Sequence, residues 1–234
     1  MHLGINIDHI ATLREARKEN FPSIPQAARV ALASGADSIT IHLREDRRHI
    51  QDYDLKDLQF VEKLNLEIAS EDDMIEIATQ LAPWAVCIVP EKRQEITTEG
   101  GLNIVDRFER IRGHIDRLKT KPIIVSVFIE ADKAQINAAK AAGANAIEIH
   151  TGAYARATEK TQELQKIKMG AEYAHSIGLK VHAGHGLDTQ NVIAIAKIPQ
   201  ITELNIGFSI VANAIFIGLG PAIKQMKELL QTES

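Results

Sequence analysis

The sequence runs to 234 residues, 45% of them hydrophobic and 25% charged, a balance that permits one sizeable core and excludes a disordered or collagen-like chain. With 27 Lys and Arg against 31 Asp and Glu the net charge is −4, and only 4% of residues are aromatic, which excludes a basic, base-stacking nucleic-acid binder. One cysteine, Cys87, leaves no intrachain disulfide, and Met1-His2-Leu3-Gly4 offers neither a basic nor a long apolar leader, so a cytoplasmic protein is expected.

From the N-terminus, strand-like runs cover residues 3–8, 38–43, 65–69, 85–90, 122–129, 146–151, 180–185 and 203–208. Between them lie stretches with apolar spacing near 3.6, such as IPQAARVALASG, DYDLKDLQFVEKL, DDMIEIATQLA and DKAQINAAKAAG, and Ser70-x-x-Asp73 reads as a helix start. Gly35, Gly143 and Gly178 each follow a helical run and precede a strand, where a left-handed cap needs no side chain. The uncharged span between Glu203 and Lys224 is interrupted by Asn205, Ser209, Asn213, several glycines and Pro221, which predicts a strand and a buried helix rather than a membrane span. GADSITIH from Gly35 resembles GANAIEIH from Gly143, a weak internal repeat. Eight strands alternating with helices, in a chain near the ~250 residues usual for the fold, predict a single α/β domain over residues 1–234, a (β/α)8 TIM barrel.

Alternate residues of a strand face opposite sides. Leu3, Ile5 and Ile7 oppose Gly4, Asn6 and Asp8; Ile39, Ile41 and Leu43 oppose Thr40, His42 and Arg44; Ile147 and Ile149 oppose Glu148 and His150. The apolar set is expected against the helices and the polar set inside, toward the mouth at the carboxyl ends of the strands. Asp8, His42, Glu67, Glu148 and His150 would then form an acid/base or metal-binding cluster. Zinc stays open as a ligand of this cluster; against it, there is no HEXXH and no tight Cys/His spacing, and strand parity separates the two histidines of His182-x-x-His185. AGHGLDT after the seventh strand and NIGFSI at the eighth place Gly184, Gly186 and Gly207 where backbone amides bind phosphate. Arg44 shares the parity of His42 and can reach a phosphate bidentately. EKRQEITTEGGLN after the fourth strand reads as a lid, Cys87 as a small buried hydrophobe and Trp84 as a packing residue. Lys121 and Lys180 fall at the far end of the barrel and Lys92 in the lid, so a protein-bound imine is not expected.

GINIDHIATLREAR, ITIHLREDRRHI, NLEIA, VPEKRQEITTEGGL, IEIHTG, HAGHGL and ELNIG, in this order along nearly the whole chain, resemble the pyridoxine 5'-phosphate synthase (PdxJ) family. The resemblance implies a barrel with additional helices, assembled as a homo-octamer. It implies condensation of 1-deoxy-D-xylulose 5-phosphate with 3-amino-2-oxopropyl phosphate to pyridoxine 5'-phosphate, phosphate and water, with no metal or organic cofactor. By the same resemblance His42 and Glu67 are general bases, His185 a general acid and Glu148 a transition-state stabiliser. Asp8, His9, Arg44, His49 and Thr97 would hold the deoxyxylulose phosphate, and Asn6, Arg17, Gly186, Gly207 and Phe208 the amino ketone phosphate. Two positions depart from the family pattern: Phe208 stands where many members carry histidine, and Ala212-Asn213 replaces a more usual Gly-Arg pair. The competing readings are a phosphosugar isomerase or epimerase on the same barrel, and a non-catalytic phosphometabolite-binding barrel.

Overall fold

Runs with Ile, Leu or Val on one side and polar or small residues on the other can bury both faces of a parallel sheet when the sheet curls on itself under a layer of helices. The computed structural model, which describes residues 1–91 and 100–231, has that architecture. Strands β1 (His2–Asn6), β2 (Ser38–His42), β3 (Leu64–Ala69), β4 (Ala85–Val89), β5 (Ile124–Ile129), β6 (Ala146–His150), β7 (Lys180–Gly184) and β8 (Ile201–Ile206) pair in parallel, in chain order, with β8 closing on β1. Around them run α1 (Asp8–Glu15), α2 (Ile24–Ala33), α3 (Asp52–Asp57), α4 (Asp72–Leu81), α5 (Phe108–Leu118), α6 (Lys133–Ala141), α7 (Gly152–Arg156), α8 (Thr161–Ser176), α9 (Val192–Ala196), α10 (Phe208–Ile217) and α11 (Leu219–Gln231). The expected (β/α)8 barrel is therefore present, and its eight strands fall where the sequence pattern places them, within a few residues at each end. No helix among the described residues is long and apolar enough to cross a membrane.

Three local readings are corrected. The helix expected to be buried after the eighth strand, α10, buries only Ile210 and leaves Phe208, Ile215 and Phe216 exposed. The run from Asp52 to Leu64 is helical only to Asp57, because Leu64 already opens β3; Leu58 and Val61 are buried from the connection between them, and Leu64 from the strand. Ser70 does not cap α4, which starts after Glu71 without a side-chain cap; the Ser70 hydroxyl bonds His114 Nδ1 at 2.9 Å. Asp72 and Asp73 in the first turn of α4 still favour the positive end of that helix. The three cap glycines are as expected, with φ of 103° at Gly35, 90° at Gly143 and 80° at Gly178.

The apolar core is an annulus between strands and helices: Leu3, Ile5, Ile39, Ile41, Leu66 and Ile68 are fully buried against groups such as Ile24, Ala28 and Ile75. The barrel interior is mostly polar, unlike the branched apolar filling usual for the fold. Thr40 Oγ1 donates to Asn205 Oδ1 at 2.9 Å, Asn65 Nδ2 to Thr40 Oγ1 at 3.3 Å, and Asn205 Nδ2 to Glu148 Oε2 at 2.8 Å. Cys87, Val89 and Phe128 form a small apolar cluster separate from the annulus, on the strand side that faces Glu67 and Glu148 in register. Cys87 is fully buried, as expected, and Trp84 packs, stacked with His2 at 6.0 Å between ring centroids.

Candidate active site

All eight strands run the same way, so their carboxyl ends gather polar residues at one rim. Past β1, Asp8 binds both neighbouring chain segments. Its Oδ2 accepts from Asn6 Nδ2 at 2.7 Å and its Oδ1 from the His42 backbone N–H at 2.8 Å, while its own N–H donates to Asn6 Oδ1 at 2.9 Å. Asp8 is thereby clamped at the end of β2, and Asp8, His42 and Glu67 each bring a carboxylate oxygen or imidazole nitrogen within 4.8 Å of the others. These donor types suit a divalent cation. Both Asp8 oxygens already accept N–H bonds, however, and the surroundings of Glu67 disfavour its charge, so the trio is better matched to moving protons.

Burial, with the charges of Glu148 and Asp8, pushes the Glu67 carboxyl well above its usual range. Burial lifts Glu148 to about 8 against the opposing hydrogen bond from Asn205, with the charge of Glu203 adding to the rise. At neutral pH Glu148 is held largely as the neutral acid, and the raised pKa of Glu67 makes its ionised form a stronger base than an exposed carboxylate. Glycine at 184 makes this arrangement possible: a Cβ there would lie 2.3 Å from Glu148 Oε1.

Across the mouth, His150 ends β6, and its Nδ1 lies 2.7 Å from Glu130 Oε1. The His150 and His185 rings are 5.1 Å apart between centroids, with Phe128 5.2 Å from His150. His185 follows the last residue of β7 with φ of 81°, so its left-handed backbone takes the side chain out of strand alternation. Burial, then the charges of His150, Arg156 and His9, lower its pKa to about 4, which leaves the imidazole neutral at pH 7. His182 sits lower in the barrel, its Nδ1 3.8 Å from Glu203 Oε1. The two histidines are thus separated as expected, by the end of the strand as much as by parity.

The remaining site residues divide. Gly207 abuts Asn6, whose Cβ would be 2.9 Å from a Cβ at 207. Phe208 begins α10 and meets the His9 ring edge-on at 5.2 Å, and burial lowers the His9 pKa. Gly186, with φ of 78°, packs over Ala155 of α7. Arg44 is buried, its Nε 3.6 Å from Asp46. The His49 ring lies 6.1 Å from that of His42, and its carbonyl accepts from Arg14 Nη2 at 3.1 Å. Arg14 itself is buried and doubly bonded to Asp54 at 2.7 and 2.8 Å. Arg17 is exposed beyond the end of α1, and the fold leaves it on the surface. Thr97, Lys92 and most of the expected lid lie outside the described residues. Lys180, which opens β7, and Lys121 before β5 are exposed at the opposite rim.

Sequence reasoning missed two carboxylates. Glu130 directly follows β5 and holds His150; Glu91, two residues past β4, lies 2.8 Å from His42 Nε2. Their signal was position, since each sits just beyond a strand end, as Arg44 does. Glu91 is the first residue of the segment that the sequence reads as a lid.

The sequence profile of the family described as Pyridoxal phosphate biosynthesis protein PdxJ matches residues 3–232. The chain belongs to the PdxJ family. Its PdxJ relatives include the pyridoxine 5'-phosphate synthase of Sulfurihydrogenibium sp. (strain YO3AOP1), 54% identical with 98% of each chain covered. The protein of the same name from Coxiella burnetii (strain RSA 493 / Nine Mile phase I) is 51% identical, again over 98% of each chain. Among solved structures, phosphoribosyl anthranilate isomerase from Thermus thermophilus superposes with a TM-score of 0.61 over 100% of both chains at 12% identity. At that identity the likeness shows that the PdxJ barrel is a shared fold and nothing about chemistry.

Proposed function

We propose that this PdxJ-family protein condenses 1-deoxy-D-xylulose 5-phosphate with 3-amino-2-oxopropyl phosphate to pyridoxine 5'-phosphate, releasing phosphate and water in a step of vitamin B6 biosynthesis. The observation that carries the reading is the pair of carboxyls, Glu67 partly and Glu148 almost fully buried, both raised in pKa within one mouth that also holds His42 and His185. A receptor that merely binds phosphate has little use for so many proton-transfer groups. The amino ketone brings its own amine, so attack on the sugar ketone needs no enzyme lysine. What the enzyme must do is move protons while water and phosphate leave.

In this reading His42 and Glu67 accept protons, and His185 donates them. A phosphate dianion bound beside His185 would raise its pKa from about 4 and so favour the protonated donor. Glu148, neutral when the site is empty, gives a hydrogen bond to charge that develops in the transition state. Asp8, His9, Arg44, His49 and Thr97 hold the deoxyxylulose phosphate. Asn6, Gly186, Gly207 and Phe208 hold the amino ketone phosphate, with backbone amides at the start of α10 facing its anion, and Arg17, exposed past α1, joins them in its own or a neighbouring subunit's site. Neither a metal nor an organic cofactor is assigned a role.

The finer expectations of a homo-octamer and a cytoplasmic location belong to the same proposal. Self-association is supported by α10, where Ile215, Phe216 and Ile217 are 74%, 85% and 45% exposed, an apolar face that water disfavours. Purified protein mixed with both phosphorylated substrates should produce pyridoxine 5'-phosphate and stoichiometric phosphate. Turnover of either substrate alone, without condensation, would instead establish the isomerase reading.

A further inference from the structure

Glu91 has no role in the scheme above, yet it hydrogen-bonds the His42 ring directly. Its side chain is only 5% exposed, with Oε1 2.8 Å from His42 Nε2 and Oε2 accepting from the Glu45 backbone N–H at 3.2 Å. Burial pushes its pKa up. The hydrogen bond and charge of His42, the Glu45 amide and the charge of Arg44 together outweigh that and hold it below the usual carboxylate range. An ionised carboxylate can only accept, so His42 Nε2 carries the hydrogen, and in the neutral imidazole the lone pair then sits on Nδ1. That nitrogen faces Glu67 Oε2 at 3.8 Å.

We propose that Glu91 is a positioning residue: it fixes His42 as the Nε2–H tautomer, turns the basic Nδ1 toward Glu67 and the mouth, and stabilises the imidazolium formed when Nδ1 takes a proton. The inference rests on the reading of His42 as a proton acceptor given under Proposed function. The step balances simply. A substrate proton passes to Nδ1, the electron pair of the broken bond stays on the substrate, and the imidazolium later returns the proton to a departing group. Nε2–H remains bonded to Glu91 throughout, which orients the ring without itself being protonated, the role a carboxylate plays behind other catalytic imidazoles.

Among the described residues, the charged and titratable groups around His42 are Glu91 beyond β4, Glu67 on β3, Asp8 at its backbone N–H, and Arg44 and His49 from the segment after β2. Replacing Glu91 by a neutral amide removes one negative charge from this set and so disfavours the imidazolium. A rival account starts from the same contacts: Glu91, beside Arg44 and His42, could be a stand-in for a substrate anion, and its loss would then tighten substrate binding. The two accounts predict opposite kinetics.

Glu91→Gln and Glu91→Asp in the full chain separate them. The His42 C2–H resonance, assigned by its disappearance in His42→Gln, should titrate about one unit lower in Glu91→Gln and close to wild type in Glu91→Asp. The kcat of Glu91→Gln should fall about 10- to 100-fold, with KM for both substrates little changed and the acid limb of kcat/KM moved to lower pH. Glu91→Asp should recover much of the rate. An unchanged His42 titration in Glu91→Gln, or a lowered KM at wild-type kcat, overturns the assignment. Should Glu91→Gln not fold, 15N shifts of His42 in the wild type decide alone: protonation at Nε2 supports the proposal and protonation at Nδ1 overturns it. These resonance measurements need no substrate. If the wild type forms no pyridoxine 5'-phosphate, the reaction reading falls while the hold of Glu91 on His42 is still decided.

Discussion

Replacing Glu148 by glutamine tests whether the mouth is maintained at the expense of stability. Burial carries the Glu148 carboxyl from its ordinary 4.5 to about 8. The folded protein therefore keeps a proton that the unfolded chain releases above about pH 4.5, and stability must fall as pH rises between those values. Each unit of the rise is worth about 1.4 kcal/mol, so the full loss approaches about 5 kcal/mol above pH 8 as an upper bound. Glu67 is raised too, and Glu203 is pushed to about 7, by burial above all, so the wild type should lose stability with pH more steeply than one carboxyl explains. Glutamine at 148 keeps an acceptor for Asn205 Nδ2 and never ionises. Urea unfolding at pH 5, 6, 7 and 8 should show little difference at pH 5 and a variant several kcal/mol more stable at pH 8. The slope should be shallower by up to ~1.4 kcal/mol per pH unit, while kcat falls by less than the roughly 10²- to 10³-fold of a lost transition-state donor, because the glutamine amide N–H still donates, though more weakly than a carboxyl O–H. Parallel stability lines for the two proteins would refute the assignment of a neutral, buried Glu148.

Glu67→Gln should lower kcat by about 10²- to 10⁴-fold with KM little changed; equal activity in steady-state assays would remove that carboxyl from the chemistry. Gly184→Ala places a methyl 2.3 Å from Glu148 Oε1 and 3.0 Å from the Asn205 carbonyl oxygen, so it should cost about 1–3 kcal/mol of stability and most activity, as read by thermal melts and turnover. Phe208→His should change KM for the amino ketone phosphate by less than about tenfold, or ~1.4 kcal/mol. The reason is that the Phe208 side chain is 68% exposed and its backbone N–H is what starts α10; a larger gain in affinity rejects backbone binding.

The barrel was legible because alternation and helix spacing are local signals. Ile39 and Ile41 against Thr40 and His42 already state which side of β2 meets the helices, and register then carries His42, Glu67 and Glu148 to one rim. What escaped depends on contacts between segments far apart in the chain. Ser70 looked like a cap because its partner His114, 44 residues away, was invisible. Glu91 and Glu130 looked like loop charges because nothing in their neighbours announces His42 or His150. His185 was expected at the mouth by resemblance, yet its direction is set by a left-handed backbone that strand parity does not describe.

The separation of the polar barrel interior from the apolar annulus gives the two edges of each strand different freedoms. Outward residues such as Ile39 and Ile41 answer to close packing, where a lost methylene is felt at once. Their inward neighbours answer to hydrogen bonds and charge. Selection can therefore redraw the reaction by exchanging side chains on the inner edge while the outer edge goes on holding the molecule together, which is one physical route by which a single scaffold comes to host unrelated enzymes.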